Sequence, residues 1–137
     1  MPHHTTVASV LAALLLTATF VVAQQSHPAG PHRHPEAQAL QNPVPTDASS
    51  VAAGKQIYVR HCRGCHGPTG HGDGGMALGT RPPSLVEPTL RHGSSDGELF
   101  TIIRGGGVNM DAFKEAIPEP QVWHLVNYIQ SLRSVQP

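Results

Sequence analysis

Two cysteines and a histidine stand together in the run Cys62-Arg63-Gly64-Cys65-His66, called the CxxCH motif below. This run is typical of c-type haem attachment. Two thiols at this spacing can add to the two vinyl groups of one haem, while the imidazole of the next residue binds the iron. The sequence therefore predicts one covalent haem c, attached through Cys62 and Cys65 and ligated by His66.

Three other chemistries use cysteine pairs. A thioredoxin-like dithiol normally lies in a βαβ unit, whereas this pair lies between a helical segment and a glycine-rich loop. A zinc site needs further ligands, and the sequence holds no third cysteine, although it has spare histidines. A disulfide between cysteines so close in sequence would be strained and would close almost no loop. Haem attachment is the interpretation that we favour.

The composition limits the remaining functions. Among 137 residues, 9 are Lys or Arg and 9 are Asp or Glu, so the formal net charge is zero. We therefore expect no nucleic-acid partner. The part of the chain after residue 50 is short for an independently stable domain, and a bound haem would enlarge its core.

Residues 1–23 have the pattern of a targeting segment. Residues 7–23 carry no charged side chain and precede polar glutamines. The apolar run is slightly short for a membrane-spanning helix, which favours a signal peptide cut after Ala23. The lack of Lys and Arg in residues 1–6 favours the alternative, an uncleaved membrane anchor that would tether the protein.

Residues 24–50 are predicted to form a disordered linker rich in proline and histidine. The segment has no apolar periodicity that could build a core. Its histidines His27, His32 and His34 could bind a metal such as copper or nickel. We expect them to be solvated linker residues instead.

Residues 51–137 are predicted to form an all-α domain. A first helix, capped by Ser49 or Ser50, should run up to Cys62. Gly54 inside this helix would cost stability unless another helix packs closely there. The sequence thus predicts a helix crossing at Gly54.

Two further helices follow a glycine-rich loop over residues 67–75. The run Ser95-Asp96-Gly97-Glu98 has the spacing of a capping box at a helix start. A last helix should begin after Pro118 or Pro120, since apolar residues then recur at helical spacing. No segment requires a strand. The apolar residues of the last helix are Val122, Leu125, Val126, Ile129 and Leu132.

The order of these motifs over residues 51–134 resembles that of the small monohaem class I cytochromes c. The resemblance implies the cytochrome c fold, with three to four helices and loops around one covalently bound haem. It also implies that Gly54 and Tyr58 meet Leu125 and Tyr128 where the first and last helices cross. The motifs are CxxCH, Pro82-Pro83-Ser84-Leu85, Gly97-Glu98-Leu99-Phe100, Met110-Asp111-Ala112-Phe113 and Trp123-His124-Leu125-Val126-Asn127-Tyr128-Ile129.

The same resemblance implies the residues of the haem site. His66 would be the proximal iron ligand and Met110 the distal one. Pro83 and Leu85 match the family's Pro-x-Leu, in which the proline carbonyl accepts a hydrogen bond from the ligand histidine. Asp111 replaces the proline that commonly follows the family's methionine, which implies a less stiff distal loop.

Three other side chains could take the distal position. Met76 lies ten residues after His66, within reach of either face of a haem by extended chain. His71 and His92 would each give a haem with two histidine ligands. The resemblance favours Met110 over all three.

A haem with two protein ligands leaves no position for a substrate, so the resemblance implies a one-electron carrier and not an enzyme. The expected partners are redox proteins, and the expected location is the periplasm. The first alternative is a cytochrome c subunit of a larger membrane dehydrogenase or oxidase. The second is a haem-based gas or redox sensor.

Overall fold

The computed structural model describes residues 31–77 and 79–134, and these form five helices joined by loops. No strand occurs in the described residues, where Gly107 and Met110 form an isolated bridge, so the predicted all-α class is confirmed. No helix in these ranges has the length and apolar character needed to cross a membrane. The predicted leader, residues 1–23, lies outside the described residues. The helices are α1 (Pro35–Gln38), α2 (Ala48–His61), α3 (Arg63–His66), α4 (Asp96–Gly105) and α5 (Glu119–Ser134).

Helix α2 begins before its predicted serine caps. The Asp47 carboxylate accepts the Ser50 N–H at 2.7 Å and so caps the helix. Ser50 is turned inward instead, and its hydroxyl accepts a hydrogen bond from the Asn127 side chain at 2.8 Å. The first turn of α2 is therefore fixed to α5 as well as capped.

Gly54 marks the point where α2 crosses α5. A Cβ atom here would overlap the His124 carbonyl oxygen and would lie 2.8 Å from the Tyr128 Cβ. One turn later Tyr58 is fully buried, and its ring centroid lies 5.2 Å from that of Tyr128. The predicted crossing is confirmed, and it brings Leu125 into the same core.

We expect Gly54→Ala to destabilise the protein by about 2 kcal/mol or more, because the new methyl group forces two helix backbones apart. Gly105→Ala is the matched control. It lies in the last turn of α4, and no atom lies within 4 Å of the place that its Cβ would take, so its effect should stay within about 1 kcal/mol. Denaturant unfolding of the haem-loaded variants measures both changes. Equal effects would contradict the close contact between α2 and α5 at Gly54.

Helix α4 starts at the predicted capping box. The Ser95 hydroxyl accepts the Glu98 N–H, and the Glu98 carboxylate accepts the Ser95 N–H. Farther along, the Phe100 ring stacks on Trp123 of α5 at 3.9 Å between centroids. These contacts place α4 and α5 side by side on one core.

Residues 31–50 differ from the expectation of a disordered linker over residues 24–50. Ala37 of α1 is 2% exposed, and its carbonyl lies against Gly97 of α4, where a Cβ would overlap it. The described part of the segment thus packs on the helices. We call residues 31–47 the arm.

Hydrogen bonds to Asn127 explain why the arm packs without an apolar pattern. Asn127 of α5 is 1% exposed, and its side-chain oxygen accepts hydrogen bonds from Asn42 at 2.8 Å and Thr46 at 3.0 Å. Its amide nitrogen donates to the carbonyls of Val44 and Pro45. A buried amide needs such partners, and the arm supplies them.

Candidate haem site

The CxxCH motif begins where α2 ends. Cys62 is the C-cap of α2 and the N-cap of α3, and Cys65 and His66 lie in α3. Both cysteines have free thiols, Cys62 being buried and Cys65 half-buried. The three residues predicted to attach and ligate haem therefore lie together on one short turn, directly after the long helix that crosses α5.

The glycine-rich loop folds back along α3. The Gly72 N–H donates to the His66 carbonyl at 2.9 Å, and the Gly74 N–H donates to the Cys65 carbonyl at 3.1 Å. A Cβ at Gly74 would overlap the Gly64 carbonyl, so the close approach requires glycine. The loop thus satisfies carbonyls that a helix end leaves unpaired.

Tyr58 also fastens the C-terminal end of α3. Its buried hydroxyl donates to the Gly67 carbonyl at 2.7 Å, directly after the motif. Burial raises the pKa of Tyr58, so the hydroxyl keeps the proton that it donates. The resemblance implied only packing for this residue, and nothing in the local sequence pattern indicated the hydrogen bond.

The surroundings of His66 favour the neutral imidazole that a metal ligand requires. Burial lowers its pKa, while the Pro83 backbone carbonyl acts in the opposite direction. The Nδ1 atom is buried and has no hydrogen bond of normal geometry. A neutral imidazole is the form that binds iron, and the nearby Pro83 carbonyl is suited to orient it.

The segment around Pro83 lies beside the same loop. The Pro82 carbonyl abuts Gly72, where a Cβ would overlap it, and the Leu85 N–H donates to the Gly70 carbonyl at 2.7 Å. Leu85 is half-buried against the core, whereas the Pro83 ring is exposed. The structure thus places the predicted Pro-x-Leu segment next to His66.

Met110 lies on a separate loop after α4. Gly106 has a φ of 74°, and Met110 pairs with Gly107 through a hydrogen bond of 2.8 Å from the Gly107 N–H to the Met110 carbonyl. Met110 is half-buried and packs against the core together with Phe113. These contacts fix the loop despite the missing proline.

The other candidate ligands have different surroundings. Met76 is 72% exposed, and its N–H donates to the Gly64 carbonyl at 2.9 Å, which holds it beside the CxxCH motif. His71 is exposed and hydrogen-bonds Thr69 at 3.0 Å. His92 lies beside His32 instead, and its Nδ1 atom is 3.2 Å from the His32 Nε2 atom.

The donor set fits a covalently attached haem. Two free thiols and one half-buried imidazole, whose Nδ1 atom is buried, lie within five consecutive residues, and a half-buried thioether lies on a second loop. Burial, with a smaller effect from neighbouring Cys65, raises the pKa of Cys62 to about 12. Cys62 is therefore a thiol and not a thiolate at neutral pH in the closed fold.

Comparison with known proteins identifies a family and relatives of this chain. The profile of a family described as "Cytochrome C oxidase, cbb3-type, subunit III" matches residues 49–129. A "Cytochrome c6-like" protein of Nostoc is 28% identical over 62% of this chain and 73% of its own length. A "Cbb3-type cytochrome c oxidase subunit CcoP" of Azospirillum brasilense is 27% identical over 64% of this chain. The chain spans only 30% of that CcoP protein.

Two solved structures share the fold. A chain of the "Kuenenia stuttgartiensis reducing HAO-like protein complex" matches 69% of this chain and 48% of its own, with a TM-score of 0.61 and 26% identity. Cytochrome CL of Methylophaga aminisulfidivorans matches 63% of this chain and 55% of its own, with a TM-score of 0.54 and 24% identity. Since the profile covers more than half of the chain, the protein belongs to the c-type cytochrome family described as cytochrome c oxidase, cbb3-type, subunit III, whose members hold haem c covalently.

Proposed function

We propose that the protein is a one-electron carrier that holds a single haem c through Cys62, Cys65, His66 and Met110. The observation that carries this proposal is that two free thiols, Cys62 at the N-cap of α3 and Cys65 within it, lie beside the His66 imidazole, whose Nδ1 atom is buried. When bound, the haem supplies a reversible one-electron change between ferric and ferrous iron. One haem c is proposed because the chain has only two cysteines, both within the motif.

The assignment of Met110 as the distal ligand is supported by where the two methionines lie. The Met76 backbone is hydrogen-bonded to Gly64, between the two cysteines, so Met76 stays with the segment that supplies the proximal ligand. Met110 comes from a different loop and packs into the core. A distal ligand must approach from the face opposite His66, which favours Met110.

Met110 and the carbonyl beside His66 would influence the reduction potential of the iron and the orientation of its histidine ligand. As an iron ligand, the Met110 thioether would favour the ferrous state, and a hydrogen bond from His66 to the Pro83 carbonyl would keep the imidazole oriented. If His66 and Met110 both bound the iron, they would leave no position on it for a substrate. Electron transfer without bond chemistry is therefore the function that these side chains support.

The second candidate is a haem subunit of a larger membrane complex. It is favoured by the family description and by the CcoP relative, of which this chain spans 30%.

With zero formal net charge, the protein should meet its redox partner through a local patch. Purification of the native protein at low detergent separates the two candidates, since a subunit copurifies with its complex.

We place the protein in the periplasm, either soluble or anchored. This proposal rests on residues 1–23 and on the export that haem c attachment requires in proteins resembling this one. The intact mass of the exported protein measures whether the chain begins at Gln24 or keeps its leader. Cleavage is the expected result.

Voltammetry and visible spectra of the purified protein test the proposed function. We expect one reversible redox transition. The potential should change by about 59 mV for each tenfold change in the oxidised-to-reduced ratio, as for one electron. Carbon monoxide should leave the ferrous spectrum unchanged, because Met110 occupies the sixth position. Rapid carbon monoxide binding by the unmodified protein would instead support the sensor.

A further inference from the structure

Three histidines from two distant parts of the chain converge beside the N-terminus of α4. His32 and His34 lie on the arm, and His92 lies in the loop before α4. One ring nitrogen from each falls within 4.8 Å of the other two, and all three residues are half-buried. The His92 Nδ1 and His32 Nε2 atoms are already 3.2 Å apart. We call these residues the three-histidine cluster.

The backbone on both sides of the cluster is held in place. The His32 N–H donates to the Arg91 carbonyl at 2.8 Å, which ties the arm directly to the residue before His92. The register between the two segments is thus fixed next to the cluster. The backbone hydrogen bond between His32 and Arg91 therefore helps to hold His32 close to His92.

A single buried carboxylate joins the same two segments. The Glu98 side chain is 0% exposed and accepts the His34 N–H at 3.3 Å, and it also pairs with Arg33 at 3.4 Å. Its other oxygen accepts the N–H groups of Ser94 and Ser95, both at 3.0 Å. Glu98 therefore positions the arm and the loop after His92 together.

The donor type and spacing suit one metal ion. Imidazole nitrogens favour late first-row divalent ions, which they bind at about 2.0–2.1 Å, so two ligands of a tetrahedral ion lie about 3.3 Å apart. The His32 and His92 nitrogens already have nearly this separation. All three ligand atoms lie within 4.8 Å of one another, and solvent could supply a fourth ligand.

We propose that His32, His34 and His92 bind one late first-row divalent cation, such as Zn²⁺ or Cu²⁺, and that this ion fastens the arm to the cytochrome domain. The arm is joined to the domain by hydrogen bonds, and an ion shared by His32 and His92 adds a link between residues 60 positions apart in sequence. His92 lies against the loop that holds the distal methionine, since its Nε2 is 4.0 Å from a Cβ position at Gly107.

Zinc binding to the exported, haem-loaded protein tests the site. The protein should carry a purification tag without histidine, and bound zinc is measured by equilibrium dialysis and elemental analysis. We expect one equivalent per chain, and His92→Ala should weaken binding by at least about 100-fold. His61→Ala and His71→Ala, which lie outside the cluster, should bind like the unmodified protein. Magnesium should not compete.

His92→Ala also distinguishes zinc bound by all three histidines from zinc chelated by the arm alone. If zinc binds equally well without His92, the arm alone holds it and the proposal is wrong. Failure to bind micromolar zinc would overturn it as well. Neither result bears on the haem, whose spectrum and potential are measured separately.

Trypsin cleavage after Arg33 gives an independent readout. This bond lies between two of the proposed ligands, so cleavage requires the arm to open. Zinc at ten times its dissociation constant should slow cleavage about tenfold in the unmodified protein and leave the rate unchanged in His92→Ala. An equal rate with and without zinc in the unmodified protein would contradict the fastening of the arm.

Discussion

Replacing both Cys62 and Cys65 by Ala is expected to give exported protein that carries no covalent haem and does not fold. The described core is a cluster of twelve buried residues, mostly from α4 and α5, and Cys62 of the motif belongs to it. Without haem, this small core lacks the large apolar group that the loops would enclose. Loss of the prosthetic group should therefore remove both colour and cooperative unfolding.

Haem-stained electrophoresis under denaturing conditions measures the covalent bond, and circular dichroism measures the fold. His71→Ala is a suitable control for expression and export, since His71 is exposed and lies outside the haem motif. The control should give a stained band as strong as that of the unmodified protein. An unmodified protein that is exported but never stains, in a host that matures c-type haem, would refute covalent attachment.

The state of Cys62 in the closed fold also indicates when attachment occurs. The residue is 7% exposed, and burial raises its pKa to about 12. Thioether formation requires a thiol that haem can reach and that can lose its proton. We therefore expect the bonds to form before the chain closes around α3. The haem-free chain, which we expect to be unfolded, should therefore present both thiols to added haem.

The helices and the helix crossing could be predicted because their signals are local. Ser95 and Glu98 are three residues apart, and the capping box they form depends on no distant contact. Gly54 indicated a close neighbour, and the structure identifies it as the backbone of α5 at His124. The CxxCH motif likewise carries its chemistry within five consecutive residues.

The docking of the arm could not be predicted from the sequence in the same way. The hydrogen bond from Asn42 to Asn127 joins residues 85 positions apart, and the one from His34 to Glu98 joins residues 64 apart. Neither contact leaves a periodic pattern in the chain. Composition indicated a solvated linker because buried polar contacts of this kind have no apolar signature. His32 and His34 were considered as metal ligands, but nothing in the sequence pattern indicated that His92 lies beside them.

The position of Met110 could be predicted only through the resemblance to class I cytochromes c. A methionine alone does not indicate an iron ligand, since methionine also fills cores. The structure adds that Met110 is half-buried on a loop closed by hydrogen bonds, whereas Met76 is exposed beside Gly64. A pair of substitutions can separate the two methionines.

Met110→Ala is expected to abolish the weak far-red absorption band of the ferric protein, which arises from a thioether bound to iron. It should also lower the reduction potential by roughly 0.1 V or more, within the range of about 0.8 V over which axial ligands set haem potentials. Carbon monoxide should then bind the ferrous protein, because the sixth position is open.

Met76→Ala is the matched control, since it removes the same thioether from a residue that is 72% exposed. It should keep the far-red band, the potential and the resistance to carbon monoxide. Met110→His adds a second comparison, because it keeps two axial ligands and should lower the potential without opening the iron to carbon monoxide. If Met76→Ala removes the band while Met110→Ala keeps it, the glycine-rich loop after α3 supplies the distal ligand. The segment from Gly72 to Met76 would then have to break its hydrogen bonds to the α3 carbonyls and cross to the face opposite His66.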